Sequence, residues 1–461
     1  MKNCSLLRWL ALALVLACCC GCYANGKPNF VVIFADDLGY GDLSCFGNPG
    51  IRTPELDRMA AEGAKLTDFY VAACVCTPSR AALLTGRLPI RSGMAGSEKT
   101  RRVLYPQSEG GLPTTEITIA KALKPAGYAT ACIGKWHLGD HSPHLPMDHG
   151  FDLYFGLPYS NDMNRGPNPR RFDTSRLDPK SEYWNVPLLR GTNVVEIPAQ
   201  QDTLTRRYTE EAVKFIRENK TKPFFLYFPH TFPHVPLFAS AKFKGKSIRG
   251  LYGDVIEELD WSVGQVLETL RKEKLDQNTL VIFTSDNGPW LVKNLAGGSA
   301  GLLRDGKGST WEGGMRVPAI AWWPGKIPAG TIISEMASSM DLFPTFLSLA
   351  GVEIPKDRPY DGYDLRQTLF DSAKSVRDTM FYYRGDELWA VRKGNYKIHF
   401  MTRAGYTKEP VVTQDPPLLF DVAQDPSERF DIAGERPNIV ASMQELARKH
   451  KEEVTRAEPQ Y

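Results

Sequence analysis

A chain of 461 residues is about three times the usual domain length, long enough for one large core and a smaller second unit. Its 56 basic and 53 acidic side chains leave a net charge of only +3. That balance gives no footprint for nucleic acid and none for electrostatic attachment to a membrane surface.

At the start of the chain, Lys2 and Arg8 flank the entry to an apolar run, Trp9 to Ala17, followed by small residues and cysteines through Cys22. This is the layout of a signal peptide, residues 1–22, and the run is too short to span a bilayer comfortably. Export to a periplasmic or extracellular location is expected. A bacterial lipoprotein processing site at Cys18 or Cys22 is the alternative, and membrane contact is expected only through such an anchor. The leader takes Cys4, Cys18, Cys19, Cys20 and Cys22, which leaves Cys45, Cys74, Cys76 and Cys132. Four scattered thiols make no disulfide framework, and Cys74-Val75-Cys76 lacks the partners of a zinc site.

Next come apolar runs that each end in polar residues. Asn29 to Phe34 leads into Asp36-Asp37, Ala129 to Ile133 into Lys135-Trp136-His137, Phe224 to Phe228 into His230, and Leu280 to Phe283 into Asp286-Asn287. Continuous apolar runs predict strands buried on both faces, with the polar residues where each strand leaves the sheet. Between them, Tyr208, Ala212, Phe215 and Ile216, then Ile256, Leu259, Val263, Val266, Leu267 and Leu270, repeat at helical spacing. Residues 28 to 350 therefore predict an α/β core around a largely parallel sheet, with a site at the carboxyl ends of its strands. Residues 161 to 200 have no clear period and read as a border of that site.

After Gly351 the pattern changes. Leu388 to Phe400 predicts a hairpin turning at Gly394-Asn395, Leu418 to Asp421 a further strand, and Ile439 to Glu452 a terminal helix. The expected division is a catalytic α/β domain over 27–355 and a smaller α+β subdomain with an antiparallel sheet over 356–461.

Asp36, Asp37, Asp286 and Asn287 offer three carboxylates and an amide, oxygen donors suited to a hard divalent cation, calcium before magnesium. Asp-Asn-Gly is also an ordinary turn signal. Both members of a pair reach one ion only where the chain bends out of the sheet, which Gly39 and Gly288 predict. Lys135 and His137 lie two apart in a turn where both could face an anion. His230 and His234 sit among prolines in a stiff loop, one of them suited to act as a general acid. Lys307 is flanked by glycines that let the backbone approach a ligand.

The most specific string is Cys76-Thr77-Pro78-Ser79-Arg80, followed by Leu84-Thr85-Gly86. It resembles the signature of the sulfatase family, in which the cysteine of Cys-x-Pro-x-Arg is oxidised to formylglycine. A hydrated aldehyde carries two hydroxyls on one carbon: one attacks sulfur, and the other lets sulfate be expelled. The resemblance extends over nearly the whole mature chain and is closest to the arylsulfatase A subgroup. It includes Asp36 to Asp42, Gly134 to Gly139, Pro158 to Ser160, His234-x-Pro236, Asp286 to Pro289, Gly306 to Gly308 and Glu312 to Gly314.

The resemblance implies an alkaline phosphatase-like fold. It also implies calcium held by Asp36, Asp37, Asp286, Asn287 and the oxidised Cys76, with Arg80 stabilising the aldehyde hydrate. Lys135, Ser160, His234 and Lys307 would hold sulfate oxygens and assist the leaving group, and His137 would take the proton that releases sulfate. The expected partners are a sulfated small molecule or glycan and, during maturation, a formylglycine-generating enzyme. The rivals are a phosphate or phosphonate ester hydrolase on the same scaffold and a sulfated-glycan binding protein whose Cys76 stays a thiol.

Overall fold

The structure is a computed structural model and describes residues 26–166 and 173–461; the predicted leader lies outside the described residues. In chain order the strands are β1 (Asn29–Ala35), β2 (Ala64–Leu66), β3 (Phe69–Tyr70), β4 (Ala129–Ile133), β5 (Leu153–Gly156), β6 (Leu188–Arg190), β7 (Asn193–Glu196) and β8 (Phe224–Pro229). They continue with β9 (Thr279–Ser285), β10 (Ala319–Trp322), β11 (Thr331–Ile333), β12 (Ala337–Ser338), β13 (Thr379–Arg384), β14 (Glu387–Lys393), β15 (Tyr396–Thr402) and β16 (Val412–Asp421). The helices used below are α1 (Cys76–Thr85), α2 (Leu204–Glu218), α3 (Leu251–Lys272), α4 (Leu342–Ala350) and α5 (Pro437–Glu453).

Ten strands form one sheet in the order β11-β2-β10-β9-β1-β8-β4-β5-β6-β7. Its centre, β9-β1-β8-β4-β5, is parallel throughout, and β10 and β6 join it antiparallel on either side. The continuous apolar runs have the cause expected of them. Phe30, Val32 and Phe34 pack into the core that holds α1 and α4, whereas Val31, Ile33 and Ala35 pack against α2 and α3. Phe30 stacks on Phe346 of α4 with ring centroids 4.5 Å apart. Each of the phenylalanine, valine and isoleucine side chains, buried on its face, contributes roughly 1.5–3 kcal/mol.

Because five neighbouring strands run the same way, their carboxyl ends share one edge. Asp36-Asp37, His230, Lys135, Ser160 and Asp286-Asn287 all follow one of those ends. Residues 161 to 200 are less irregular than their composition predicts, since β6 and β7 extend the sheet there as an antiparallel pair. These short edge strands, of three and four residues, are too brief to register as a period.

The C-terminal sheet runs β13-β14-β15-β16, antiparallel, with the predicted hairpin turning at Gly394-Asn395. Gly394 has φ 56°, the left-handed conformation such a turn favours in glycine. Charge as well as apolar surface joins this sheet to the larger one. Lys397 Nζ lies 2.9 Å from Glu312 Oε1 and 3.0 Å from Glu428 Oε1, all three side chains fully buried. Arg392 pairs with Asp68 at 2.7 Å.

Burial alone would raise the Glu312 carboxyl, but Lys397, Arg316 and Arg392 outweigh it and hold the group at about 2, against an ordinary 4.5. A carboxyl depressed by folding stabilises the fold above its unfolded value and loses that contribution as pH falls from 4.5 towards 2. Glu312→Gln should therefore flatten the loss of stability across that interval, read as the urea midpoint against pH. An unchanged acid slope would show that Glu312 is not a carboxyl depressed by folding.

Candidate active site

Cys76 is the first residue of α1, entered from an extended Val75, and its thiol is buried with Sγ 3.5 Å from Asp36 Oδ1. One helical turn later, Arg80 reaches the same side. Its Nη2 lies 2.8 Å from Asp286 Oδ2 and 3.5 Å from Asp36 Oδ1, and its Nη1 donates to the Lys135 carbonyl at 2.8 Å. A single guanidinium thus ties together the ends of β1, β4 and β9. Burial disfavours its charge, but Asp286 and Asp36 outweigh burial and hold the group above its ordinary range.

The bend that turns Asp36 and Asp37 towards one point occurs at Asp37 itself, whose φ is 67°, rather than at Gly39. Aspartate tolerates that left-handed conformation. Gly39 serves a different need: a Cβ there would lie 2.2 Å from the Ser299 carbonyl oxygen. His137 also has a positive φ, 61°, so two site residues hold strained backbone.

Ligand atoms of Asp36, Asp37, Cys76 and His234 all lie within 4.8 Å of one another. Asn287 Nδ2 donates to Asp37 Oδ1 at 2.7 Å, while Asn287 Oδ1 is buried without a hydrogen-bond partner. Asp286 accepts from Arg80 through Oδ2 and from the Asp37 amide through Oδ1, at 3.1 Å. Converging carboxylates beside an orphaned amide oxygen fit a hard divalent cation. Burial raises both the Asp37 and Asp286 carboxyls, and neighbouring carboxylates add to it.

The two lysines lie against the same carboxylates. Lys135 Nζ is 2.5 Å from Asp36 Oδ2 and 3.2 Å from Ser160 Oγ, and Lys307 Nζ is 2.7 Å from Asp37 Oδ1. His137 Nε2 hydrogen-bonds to the Leu104 carbonyl at 2.9 Å, leaving Nδ1 buried and unpartnered. Burial, then Lys135, pushes His137 well below its ordinary range.

His234 hydrogen-bonds through Nδ1 to the Val235 carbonyl at 2.6 Å, and its Nε2 lies 3.7 Å from Asp37 Oδ2. Burial, then Lys307 and Lys135, pushes it well down too. The structure separates it from His230, which packs on Phe228 with ring centroids 4.2 Å apart, lies 3.4 Å from Ser262 Oγ and is pushed down to about 3 by burial.

Cys76, His137, Ser160, His234 and Lys307 line one cavity of about 390 Å³. Residues 162–165 border it, as the unpatterned segment from 161 to 200 suggests, and so does Trp290. Nothing in the sequence singled out three other participants. Tyr406 arrives from the β15–β16 loop, Leu104 contributes only a carbonyl, and Asn161 Oδ1 lies 3.1 Å from His234 Nδ1.

Residues 28–352 match the family model described as Sulfatase, and residues 375–461 match the C-terminal region of aryl-sulfatase. The chain belongs to the sulfatase family. Human "Arylsulfatase A" is 41% identical across 94% of this sulfatase and 90% of its own length. Canine "N-acetylgalactosamine-6-sulfatase" is 40% identical across 95% and 88%. Among solved structures, Ps i-CgsB in complex with k-i-k-neocarrahexaose superimposes with a TM-score of 0.77 at 32% identity, covering 94% of each chain. This sulfatase is accordingly a sulfuric ester hydrolase.

Proposed function

We propose that this sulfatase is exported and hydrolyses a sulfate monoester, of a sugar, glycolipid headgroup or aryl alcohol, through formylglycine made from Cys76 and a bound calcium ion. The observation that carries the reading is the convergence on Cys76, at the wall of the cavity, of Asp36, Asp37, Lys135, Lys307 and His234. The layout of residues 1–22 supports export, which sequencing of the mature N-terminus in a fractionated host tests.

Charge explains why a cation belongs to the reading. Asp36, Asp37 and Asp286 are paired one for one with Lys135, Lys307 and Arg80, so that the site's formal charges cancel. A dication held by Asp36, Asp37, Asp286, Asn287 and the modified residue 76 would leave net positive charge for an anionic ester and polarise the attacking oxygen. Lys135, Lys307 and Ser160 bind the sulfate oxygens, where charge develops during transfer. Arg80 fixes the first turn of α1 against β4 and β9, so that residue 76 is oriented before substrate enters.

His137 is a base at Nδ1, because its other nitrogen is committed to Leu104. It takes the proton whose removal expels sulfate. Burial, then Lys307 and Lys135, disfavours the protonated form of His234, and an anionic ester opposes the effect of the lysines. His234 then gives a proton from Nε2 to the departing alcohol oxygen.

Asp286→Ala should lower both turnover and calcium affinity by about 100-fold or more, since it frees Arg80 as well as removing a donor. Calcium titration of the chelator-treated enzyme, with activity and thermal midpoint as joint readouts, measures both. Full rate with native calcium affinity would remove Asp286 from the metal site.

A further inference from the structure

One wall of the cavity comes from outside the catalytic region. Tyr406 lies in the loop between β15 and β16, partly exposed, with φ 56°. Three contacts seat it. The Arg102 guanidinium lies 4.4 Å from its ring centroid, Gly308 passes so close that a Cβ would lie 2.8 Å from the ring, and the Gly405 amide donates to Asp305 Oδ2 at 2.9 Å. The ring stands 4.9 Å from Trp290, which stands 5.3 Å from His234. Two aromatic side chains thus extend outward from the histidine that faces the leaving oxygen.

Asp162, two residues beyond Ser160, lines the same cavity and has one carboxylate oxygen without a hydrogen-bond partner. The aromatic pair suits the flat face of a ring carried by the leaving oxygen, and a carboxylate suits a hydroxyl donor beside it. A simple aryl alcohol satisfies the first and not the second, because it brings no neighbouring hydroxyl. A sugar ring satisfies both.

We propose that Tyr406 and Asp162 determine which alcohol is accepted: a pyranose carrying the sulfate lies against Tyr406 and Trp290 and donates a neighbouring hydroxyl to Asp162. The proposal rests on the sulfatase reading above and assigns part of substrate selection to the C-terminal sheet.

The test is kcat and KM of the full-length, calcium-loaded enzyme with a panel of hexose and hexosamine monosulfates and with 4-nitrophenyl sulfate. Asp162→Asn should lower the ratio of kcat/KM for the best sugar sulfate to that for the aryl sulfate by about tenfold or more. Tyr406→Leu should raise KM for that sugar sulfate by about fivefold, and Tyr406→Phe, which keeps the ring, should recover most of the loss. A ratio that Asp162→Asn does not move overturns the proposal. So does a native enzyme that cleaves the aryl sulfate and no sugar sulfate, and either result leaves the sulfatase reading intact. Failure to cleave either class by protein with modified residue 76 would remove that reading itself.

Discussion

Cys76→Ala should lower kcat by about ten-thousand-fold or more, because a methyl side chain has no thiol from which the aldehyde can be made, while the surrounding charges stay in place. The fold should survive. Cys76 is a small buried residue at the start of α1, and the helix is secured by Arg80 and by Thr77 Oγ1, which donates to the His137 carbonyl at 3.0 Å. Cys76→Ser separates the two halves of the mechanism. A single hydroxyl can accept sulfate but lacks the second hydroxyl that expels it, so the variant should accumulate as sulfated protein with little turnover. Rapid multiple turnover by the serine variant would contradict a route through an aldehyde hydrate.

The largest expected loss of stability lies elsewhere, at Lys397→Met. Lys397 is the cation between Glu312 and Glu428, and its Nζ also donates to the Thr310 carbonyl at 2.8 Å. Removing it takes the closest cation from two buried carboxylates, leaving Glu312 with Arg316 at 3.5 Å and Glu428 with His399 at 2.7 Å, and breaking a buried pair costs about 3–5 kcal/mol. Lys220→Met is the contrast. Lys220 pairs with Glu273 at 2.9 Å, but its side chain is 53% exposed, and such pairs contribute about 1 kcal/mol or less. Urea unfolding of both variants measures the difference; equal losses would mean that the Lys397 cluster has no special weight. Because Thr310 lies three residues after Lys307, the Lys397 variant should also lose activity under conditions where it remains folded.

The sequence made the central sheet and the acidic pairs legible for one physical reason. A parallel strand buried on both faces reads as an unbroken apolar run, so β1, β4, β8 and β9 announce themselves, and polar residues following such a run must lie at the sheet edge. Asp36, Lys135 and Asp286 stand out that way and do converge, whereas the run of β8 leads to His230, and it is the family's His-x-Pro context that points to His234. Partners recruited through long-range packing leave no such trace. A backbone carbonyl such as that of Leu104, which fixes the tautomer of His137, could belong to any residue type. Tyr406 sits in a loop more than 300 residues from Cys76 and becomes a wall of the cavity only once β15 and β16 have docked. Glycine is the usual site of a turn, so the sequence points to Gly39 for the bend that Asp37 makes, whereas that glycine is required by the close passage of Ser299.

The central claim is that residue 76 is an aldehyde, and the mass of the tryptic peptide Leu66–Arg80, produced in a host with formylglycine-generating activity, tests it most directly. The account predicts a species about 18 Da lighter than the thiol form, the change from CH2SH to CHO, with fragment ions placing the loss at Cys76 and not Cys74. An unmodified thiol at Cys76, in a host that modifies a control sulfatase, would contradict it and leave a protein that binds sulfate esters without turning them over.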